Sequence, residues 1–475
     1  MQLLLAQKFE IAELIAVEQG KPVLEALAAE VIASLAVIES MIREGPKQLR
    51  PRPVSNGLVL FAHKKSRYLK LPYGVVAVIS PWNYPFSVPL PQIVAALIAG
   101  NTVVFKPAPT ALLTAAKIDE LFTGAGFPPG VVNTLFLHNR LAPELTAHPG
   151  VAKIVFTGST RIGAEVMRSA AGSITPVLLE LGGKDPAVVA RDADLLRAAR
   201  GLVWGSMFTS GQVCASVERV YVERPVAGRF ISLCLEHVRE LVVGDPLDPD
   251  TDIGPLSSFA QRERIADQVA DAVERGAECL HGGRSPDGPG FFYPPTLLTG
   301  VDHTMRIMRE ETFGPVMAIQ VVEDLDQAIA LANDSLYGLS AYGWTRSPCT
   351  ARRLISDLDA GSVIINDSTF SWGEPKAPWG GMKRSGIGRM RAEFGLDEMV
   401  QIKYSSSEYG SRDRNRWWFP YDSSGLRFFA EAADLLFRRH PGVRLRALLR
   451  ALTDRRFLRE AHWGTLIRRL PSLLS

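Results

Sequence analysis

Cys214, in the run Gly211-Gln212-Val213-Cys214-Ala215-Ser216, lies 34 positions after a carboxylate, Glu180, in the run Leu179-Glu180-Leu181-Gly182-Gly183-Lys184. A thiol and a carboxylate of this kind suit two-step acyl chemistry. The thiolate attacks a carbonyl carbon, and a base then activates water to release the acyl group. Taken alone, Cys214 reads as a small buried hydrophobe, the usual fate of an intracellular cysteine, and Glu180 as a surface carboxylate at a strand end. The runs around them turn the reading toward catalysis.

Elements that could position such a pair are legible along the chain. At 475 residues it exceeds what one hydrophobic core usually supports, so two or more domains are expected. Residues 8–44 read as helical, with Ile11, Leu14, Ile15, Leu24 and Leu27 at helical spacing. Residues 58–71 carry β-formers around His63, Lys64 and Lys65 and read as an exposed hairpin. The apolar run from Tyr73 to Ser80 suits a strand buried on both faces. Val103-Val104-Phe105 and Ile154-Val155-Phe156 repeat that design, with helical stretches between. Alternating strands and helices predict a mostly parallel α/β sheet, whose ligands bind beyond the carboxyl ends of the strands. A second α/β region follows Gly182-Gly183 and runs to about Lys376, containing Cys214.

Composition narrows the class. A hydrophobic content of 47% and a charged content of 22% argue against disorder and suit a globular enzyme. The four cysteines (Cys214, Cys234, Cys279 and Cys349) form no CxxC pair, so neither a disulfide scaffold nor a metal knuckle is expected, and a reducing cytoplasm fits. No stretch approaches the roughly 20 apolar residues of a spanning helix. The net charge of +3 hides an asymmetry. Residues 411–475 hold 14 Arg, no Lys and 6 acidic residues, a net of +8, which leaves 39 basic against 44 acidic residues, or −5, for the rest.

Six separated runs, in order, resemble the aldehyde dehydrogenase superfamily over about residues 8–405. They are Pro81-Trp82-Asn83-Tyr84-Pro85, the strand leading to Lys106-Pro107, Phe156-Thr157-Gly158-Ser159-Thr160, the Glu180 run, the Cys214 run, and Glu310-Glu311-Thr312-Phe313-Gly314-Pro315-Val316. The resemblance implies a hydrolytic, NAD(P)-dependent enzyme with a Rossmann-like cofactor domain (1–57 and 72–181, with a return of 377–396) and a catalytic domain (182–376). It further implies β-elements for oligomerisation at 58–71 and 397–405. The chain starts inside the family's first helical region, which reads either as a short N-terminus or as a miscalled start.

On the same resemblance Cys214 is the nucleophile, in a site that must favour its thiolate. Asn83 and the Cys214 backbone N–H stabilise the oxyanion, and Glu180 is the base for hydrolysis. Coenzyme-A-acylating relatives lack that glutamate, so its presence favours release of the free acid. Cofactor residues implied are Ser80, Pro81, Trp82, Lys106, Gly158, Ser159, Gly163, Leu181, Glu311 and Phe313. Gly158 and Ser159 stand at a strand-to-helix turn, where free backbone N–H groups favour a phosphate. The family often carries a carboxylate three residues after the lysine; here that position is Pro109, which would not repel a 2′-phosphate. NAD is therefore the expected cofactor, with NADP admitted. Tyr84, Phe208 and Trp379, with Phe86 and Phe370 beside them, suggest an apolar or aromatic aldehyde, and no arginine is evidently placed to hold a substrate carboxylate.

Residues 406–475 extend beyond this resemblance. After Trp417-Trp418-Phe419-Pro420-Tyr421, the sets Leu426, Phe429, Ala433, Leu436 and Leu445, Leu448, Leu449, Leu452 recur at helical spacing with arginines opposite. Such a basic amphipathic extension docks on an acidic neighbouring subunit of a homodimer or larger homo-oligomer, or lies on an anionic membrane surface. No nucleic-acid motif accompanies it. Two other readings stay open: a cysteine-dependent esterase without cofactor, and a structural or membrane-surface protein built around the tail.

Overall fold

Strand Val75–Ile79 has four of its five residues buried, as a continuous apolar run requires, and lies inside a six-stranded sheet. The chain is described here from a computed structural model covering residues 1–56, 61, 63–409, 415, 417–437, 442, 446, 447 and 449. From one edge, that sheet runs Gly386–Ile387, Val177–Glu180, Lys153–Thr157, Val75–Ile79, Thr102–Lys106 and Val132–Thr134. All neighbours are parallel except the first pair, where Gly386 opposes Glu180. The chain builds outward from Val75–Ile79 to one side, then crosses back to its other side with Lys153–Thr157. This reversal opens a crevice at the carboxyl ends of those two strands, the usual ligand position in such sheets.

A seven-stranded sheet holds Glu278–His281, Thr296–Thr299, Val316–Val322, Val217–Glu223, Asp185–Val189, Ser340–Trp344 and Ser362–Ile365, in that order. Its neighbours are parallel except the first pair. Ala187 and Val189 join one buried cluster while Val188 joins another on the opposite face, the alternation of a strand covered on both sides. Residues 181–184 alone separate strand Val177–Glu180 of the first sheet from strand Asp185–Val189 of the second. The carboxyl end of one sheet therefore feeds the amino end of the other. Because Asp185 pairs with Val217, the segment before Val217, which carries Cys214, lies beside 182–184. A Cβ on Gly183 would stand 2.3 Å from the Cys214 carbonyl oxygen.

The N-terminal helical region differs in detail from its expectation. Helix Lys8–Gln19 ends at Gly20, whose φ of 75° is a left-handed cap. Pro22 then starts a new segment that widens into a π-helical turn at Ala26–Ile32 before helix Ala33–Gln48. Such wide turns recur at functional sites, and this one turns Ala28 and Ala29 to the cavity described below.

Residues Leu49–Lys70 and Ile402–Ser475 form a second compact unit, apart from the unit Met1–Gln48 and Leu71–Gln401. The hairpin expected within 58–71 is displaced. Strand Lys65–Pro72 pairs antiparallel with Arg52–Val54, so His63 and Lys64 lie in the connection, where both meet Glu408. Residues 52–54, expected in the cofactor domain, thus belong to a three-stranded sheet with Lys65–Pro72 and Val400–Ser407. The β-formers of 58–71 drew the expectation there, but the described strand begins only at Lys65, and the Asn56 side-chain amide donates to the carbonyls of Phe61 and Lys64 ahead of it. In the extension, helix Ser423–Phe437 forms over the first amphipathic set. The second set lies outside the described residues except for Leu449. Among the described residues no helix is long and apolar enough to cross a membrane.

Candidate active site

Between the two sheets lies a cavity of about 380 Å³, lined by Cys214, Glu180 and Asn83 together. Each comes from a different element. Glu180 ends strand Val177–Glu180, and Asn83 follows strand Val75–Ile79. Cys214 follows a strained turn. Thr209 and Ser210 have φ of 54° and 53°, and Gly211 has 69°. At Gly211 a side chain is excluded as well as strained, since a Cβ would lie 2.0 Å from the Gly314 carbonyl oxygen. Non-glycine residues in this region cost about 1–3 kcal/mol each, so packing must hold them there. The holding bonds are present: Thr209 N–H donates to Glu25 (2.9 Å), Ser210 Oγ to Gly254 O (2.8 Å), and Tyr342 Oη to Ala215 O (2.6 Å). Burial pushes the Glu25 carboxyl up to about 8.

Asn83 is held from both ends. Its side-chain nitrogen donates to Gln212 O at 2.9 Å, leaving a second N–H for the cavity. Its backbone carbonyl accepts from Lys21 Nζ at 2.9 Å, and Lys21 pairs with Glu30 at 2.6 Å. The other Glu30 oxygen accepts from the backbone N–H of Phe86 and Ser87. The ion pair, buried on both sides, thus clamps the turn that presents Asn83. Sequence reasoning missed Lys21 and Glu30. Glu30, a charge inside the small apolar run Ala26-Leu27-Ala28-Ala29-Glu30-Val31, was the available signal.

Most of the predicted residues share the cavity. Pro81, Trp82, Gly158, Ser159, Leu181, Glu311 and Phe313 line it, and so do Tyr84, Phe208, Phe370 and Trp379. Three predicted cofactor residues do not line it. Ser80 is buried, its N–H donating to Lys106 O (3.1 Å) as the sheet pairing continues. Lys106, at the carboxyl end of Thr102–Lys106, donates from Nζ to Pro107 O (3.2 Å) and Asn139 Oδ1 (2.8 Å), and burial lowers its pKa. Gly163 serves packing: a Cβ there would lie 2.4 Å from Leu181 Cδ2, so the glycine lets helix Thr160–Ala171 approach. Phe86 is likewise corrected, being fully buried in the core. Pro109 is exposed.

The electrostatics differ from the expected thiolate-favouring site. Burial pushes the Cys214 thiol up, and Asp185, Glu180 and Glu311 push it further, against a backbone hydrogen bond at Ala215. These carboxylates all act against the ionised form of Cys214. Glu180 is 2% exposed, and neither of its oxygens meets a hydrogen-bond donor among the described residues. Burial raises it well above the usual carboxylate range while Arg389 and Arg391 hold it down. Glu311 accepts from Gly183 N–H (3.1 Å), and burial, with Glu218 beside it, lifts it to about 7. Glu218 pairs with Lys184 at 2.5 Å and accepts from the N–H groups of Thr312 (2.8 Å) and Phe313 (2.9 Å). This second buried pair was also missed. Its signal was a carboxylate beside an arginine at the start of strand Val217–Glu223, whose residues are all buried. It fixes Phe313 at a φ of 56° and packs the ring edge-on against Trp82, centroids 5.5 Å apart.

A dinucleotide suits this crevice. Ser159 caps helix Thr160–Ala171, whose free N–H groups and dipole face the switch point. A Cβ on Gly158 would meet the Phe156 ring at 2.7 Å, and one on Gly182 would meet both Glu311 oxygens at 2.6 Å, so the glycines keep the floor of the crevice open and Glu311 close. Among the described residues no cluster of His, Cys, Asp and Glu could hold a metal ion.

Comparison with known proteins agrees with this architecture. The family model for the aldehyde dehydrogenase family matches residues 1–405. A chloroplastic aminoaldehyde dehydrogenase of Arabidopsis thaliana is 38% identical over 416 residues, 87% of this chain and 82% of the relative. A 4,4′-diapolycopene aldehyde oxidase of Methylomonas sp is 37% identical over 437 residues, 90% of this chain and 79% of the relative. The NAD⁺ complex of a Bacillus cereus aldehyde dehydrogenase superposes with a TM-score of 0.82 at 32% identity, covering 86% of this chain and 82% of that one. With its two-sheet fold, its shared Cys214–Glu180–Asn83 cavity and these likenesses, the chain belongs to the aldehyde dehydrogenase family and is an NAD(P)-dependent oxidoreductase acting on aldehydes.

Proposed function

We propose that this enzyme converts neutral, apolar aldehydes to carboxylic acids, with Cys214 as nucleophile, Asn83 as oxyanion donor and Glu180 as hydrolytic base. The observation that carries the reading is the single cavity lined by all three. Cys214 loses its thiol proton to solvent, and the sulfur then bonds to the aldehyde carbon. The oxygen, now an anion, accepts from the free Asn83 N–H and the Cys214 backbone N–H, each such donor being worth roughly 3 kcal/mol of barrier. When bound, the nicotinamide supplies the hydride acceptor that turns the adduct into a thioester. Gly158 and Ser159 would hold the phosphates, Glu311 the nicotinamide ribose, and Trp82 and Phe313 the sides of the ring. Lys106, beyond the cavity wall, would reach the adenosine ribose from the carboxyl end of its strand. We read 72–181 and 377–396 as the cofactor domain and 182–376 as the catalytic one.

The charge on the substrate is argued from the walls. Tyr84, Phe208, Trp372 and Trp379 are aromatic, which by itself suits apolar and cationic guests alike. Two of those rings already carry protein cations: Lys21 Nζ stands 3.7 Å from the Tyr84 centroid, and the Arg391 guanidinium 3.7 Å from that of Trp372. The lining carboxylates are Glu180 and Glu311, both at the reacting end. A cationic aldehyde would find used faces and like charge. Of the two curated relatives above, the one named for 4,4′-diapolycopene aldehyde is the better guide to substrate, and the one named for aminoaldehydes the poorer. Comparing kcat/KM for benzaldehyde, a long-chain alkanal and an ω-trimethylammonio aldehyde is expected to favour the neutral pair by at least about tenfold. A cationic preference would refute the reading. Run with NADP⁺ as well, the assay is expected to show both cofactors used, as the exposed Pro109 presents no charge against a 2′-phosphate.

We further infer a homo-oligomer. Tyr68, Ile402 and Tyr404 are exposed on the three-stranded sheet, an apolar face a second copy would cover. The basic extension then docks on a neighbouring acidic body, in a reducing cytoplasm that keeps Cys214 free. Truncation after Ser407 is expected to reduce the sedimenting mass, with the full chain's assembly weakened as salt rises and the Debye length falls to about 3 Å at 1 M. Unchanged mass with lost binding to anionic vesicles would move the extension to a membrane surface.

A further inference from the structure

Behind the aromatic wall lies a second cavity of about 20 Å³, lined by Ser87, Val88, Gln92, Leu178, Trp372 and Arg391 among others. Arg391 is 4% exposed, and among the described residues neither of its terminal nitrogens meets a hydrogen-bond acceptor. Its φ of 67° adds backbone strain to the cost of burying a charge. Its guanidinium stands over the Trp372 ring, 3.7 Å from the centroid, and Trp372 lines both cavities. A cation kept so expensively invites the question of what it faces.

Leu178 borders the Arg391 cavity and precedes Glu180 by two on one strand, so both side chains point to the same face. The segment from Gly386 pairs with Glu180 and returns through the Trp379–Met390 bridge directly to Arg391. Two buried groups of opposite charge, both lacking hydrogen-bond partners, therefore stand on one side of one strand. The other groups acting on Glu180 are Arg389, Glu398 and the Cys214 thiol. Arg389 Nη1 is committed to the carbonyls of Gly381 and Gly388, and Glu398 to Lys153 at 2.7 Å. Arg389 is the stronger cation on Glu180, but Arg391 is the one whose two terminal nitrogens are both buried with no acceptor among the described residues.

We propose that Arg391 is a positioning residue acting through Glu180: its guanidinium favours the ionised carboxylate against burial, and so helps set the pH at which the acyl-enzyme is hydrolysed. The proposal rests on Glu180 being the base. In that step Glu180 takes a proton from water as the water oxygen bonds to the thioester carbon. The carbon–sulfur bond then breaks, releasing the carboxylic acid and the Cys214 thiolate. Burial pushes the Glu180 carboxyl up, toward the protonated form that cannot accept that proton. An opposite charge nearby lowers a carboxyl pKa by about one to three units.

The test measures the burst of reduced cofactor and the pH profile of steady-state turnover in the full-length enzyme, for wild type, R391M, R391Q, R391K and E180Q. R391M and R391Q are expected to keep the burst while the rising limb of turnover moves up by about one pH unit or more. R391K should bring it most of the way back, and the melting temperature of R391M should not fall, because an unpaired buried charge is removed. An unshifted limb beside a stalled E180Q overturns the role of Arg391 alone. Normal turnover in E180Q overturns the base assignment instead. A uniform loss of rate at every pH in R391Q and R391K means a structural role and also overturns the proposal. Should R391M not fold, R391Q against R391K decides, since their limbs must separate in the stated direction.

Discussion

Cys214→Ala is expected to lower aldehyde oxidation by about 10⁴-fold or more while leaving nucleotide binding nearly unchanged, measured by single-turnover kinetics and cofactor titration. The size follows from covalent catalysis: without sulfur at this position no adduct forms, so neither Asn83 nor Glu180 has a tetrahedral oxyanion or a thioester to act on. The remaining cysteines offer no substitute. Cys234 is buried in the core, Cys279 half-buried and Cys349 exposed, and none lines the cavity. Cofactor affinity should persist because the crevice at Gly158, Ser159 and Glu311 is built by strands and by the Lys184–Glu218 pair, not by the thiol. A variant retaining more than about a hundredth of wild-type turnover would overturn the mechanism.

Glu180→Gln should separate the two halves of the reaction. Formation of the acyl-enzyme needs the sulfur and a hydride acceptor, so one equivalent of reduced cofactor should still appear. Hydrolysis needs a base, and turnover after that burst is expected to fall by about 10²–10⁴-fold. Gln preserves volume, so the cavity wall should stay intact. The pH dependence has a definite sign. A base raised by burial is active only above its pKa, so wild-type hydrolysis should rise from acid toward neutral or alkaline pH, and this limb should vanish in the variant. A lost burst with normal steady-state turnover would remove Glu180 from this role.

The corrections to the sequence reading have one physical pattern. Glu180 was legible as a carboxylate at a strand end but reads alone as exposed; the sheet pairing with Gly386 and the second sheet bury it. The upward push on the Cys214 thiol, where a thiolate-favouring site was expected, has the same origin. Three carboxylates and burial surround the sulfur, and they reach it from positions 180, 185 and 311. The 58–71 hairpin was drawn from β-propensity, whereas the pairing observed joins 52–54 to 66–68.

By itself the sequence determined the element types and the reacting groups. Apolar runs such as Val75–Ile79 admit few fates other than buried parallel strands, and the Pro81, Gly158, Glu180, Cys214 and Glu311 runs carried the resemblance to the family. Only the tertiary structure decided which groups meet and in what charge state. Lys21 with Asn83, Lys184 with Glu218, and Arg391 with Trp372 are brought together across 62, 34 and 19 positions. No local periodicity encodes such meetings. Pairing and burial of a charge are properties of what packs around it, and at this site the packing comes from the facing ends of two sheets.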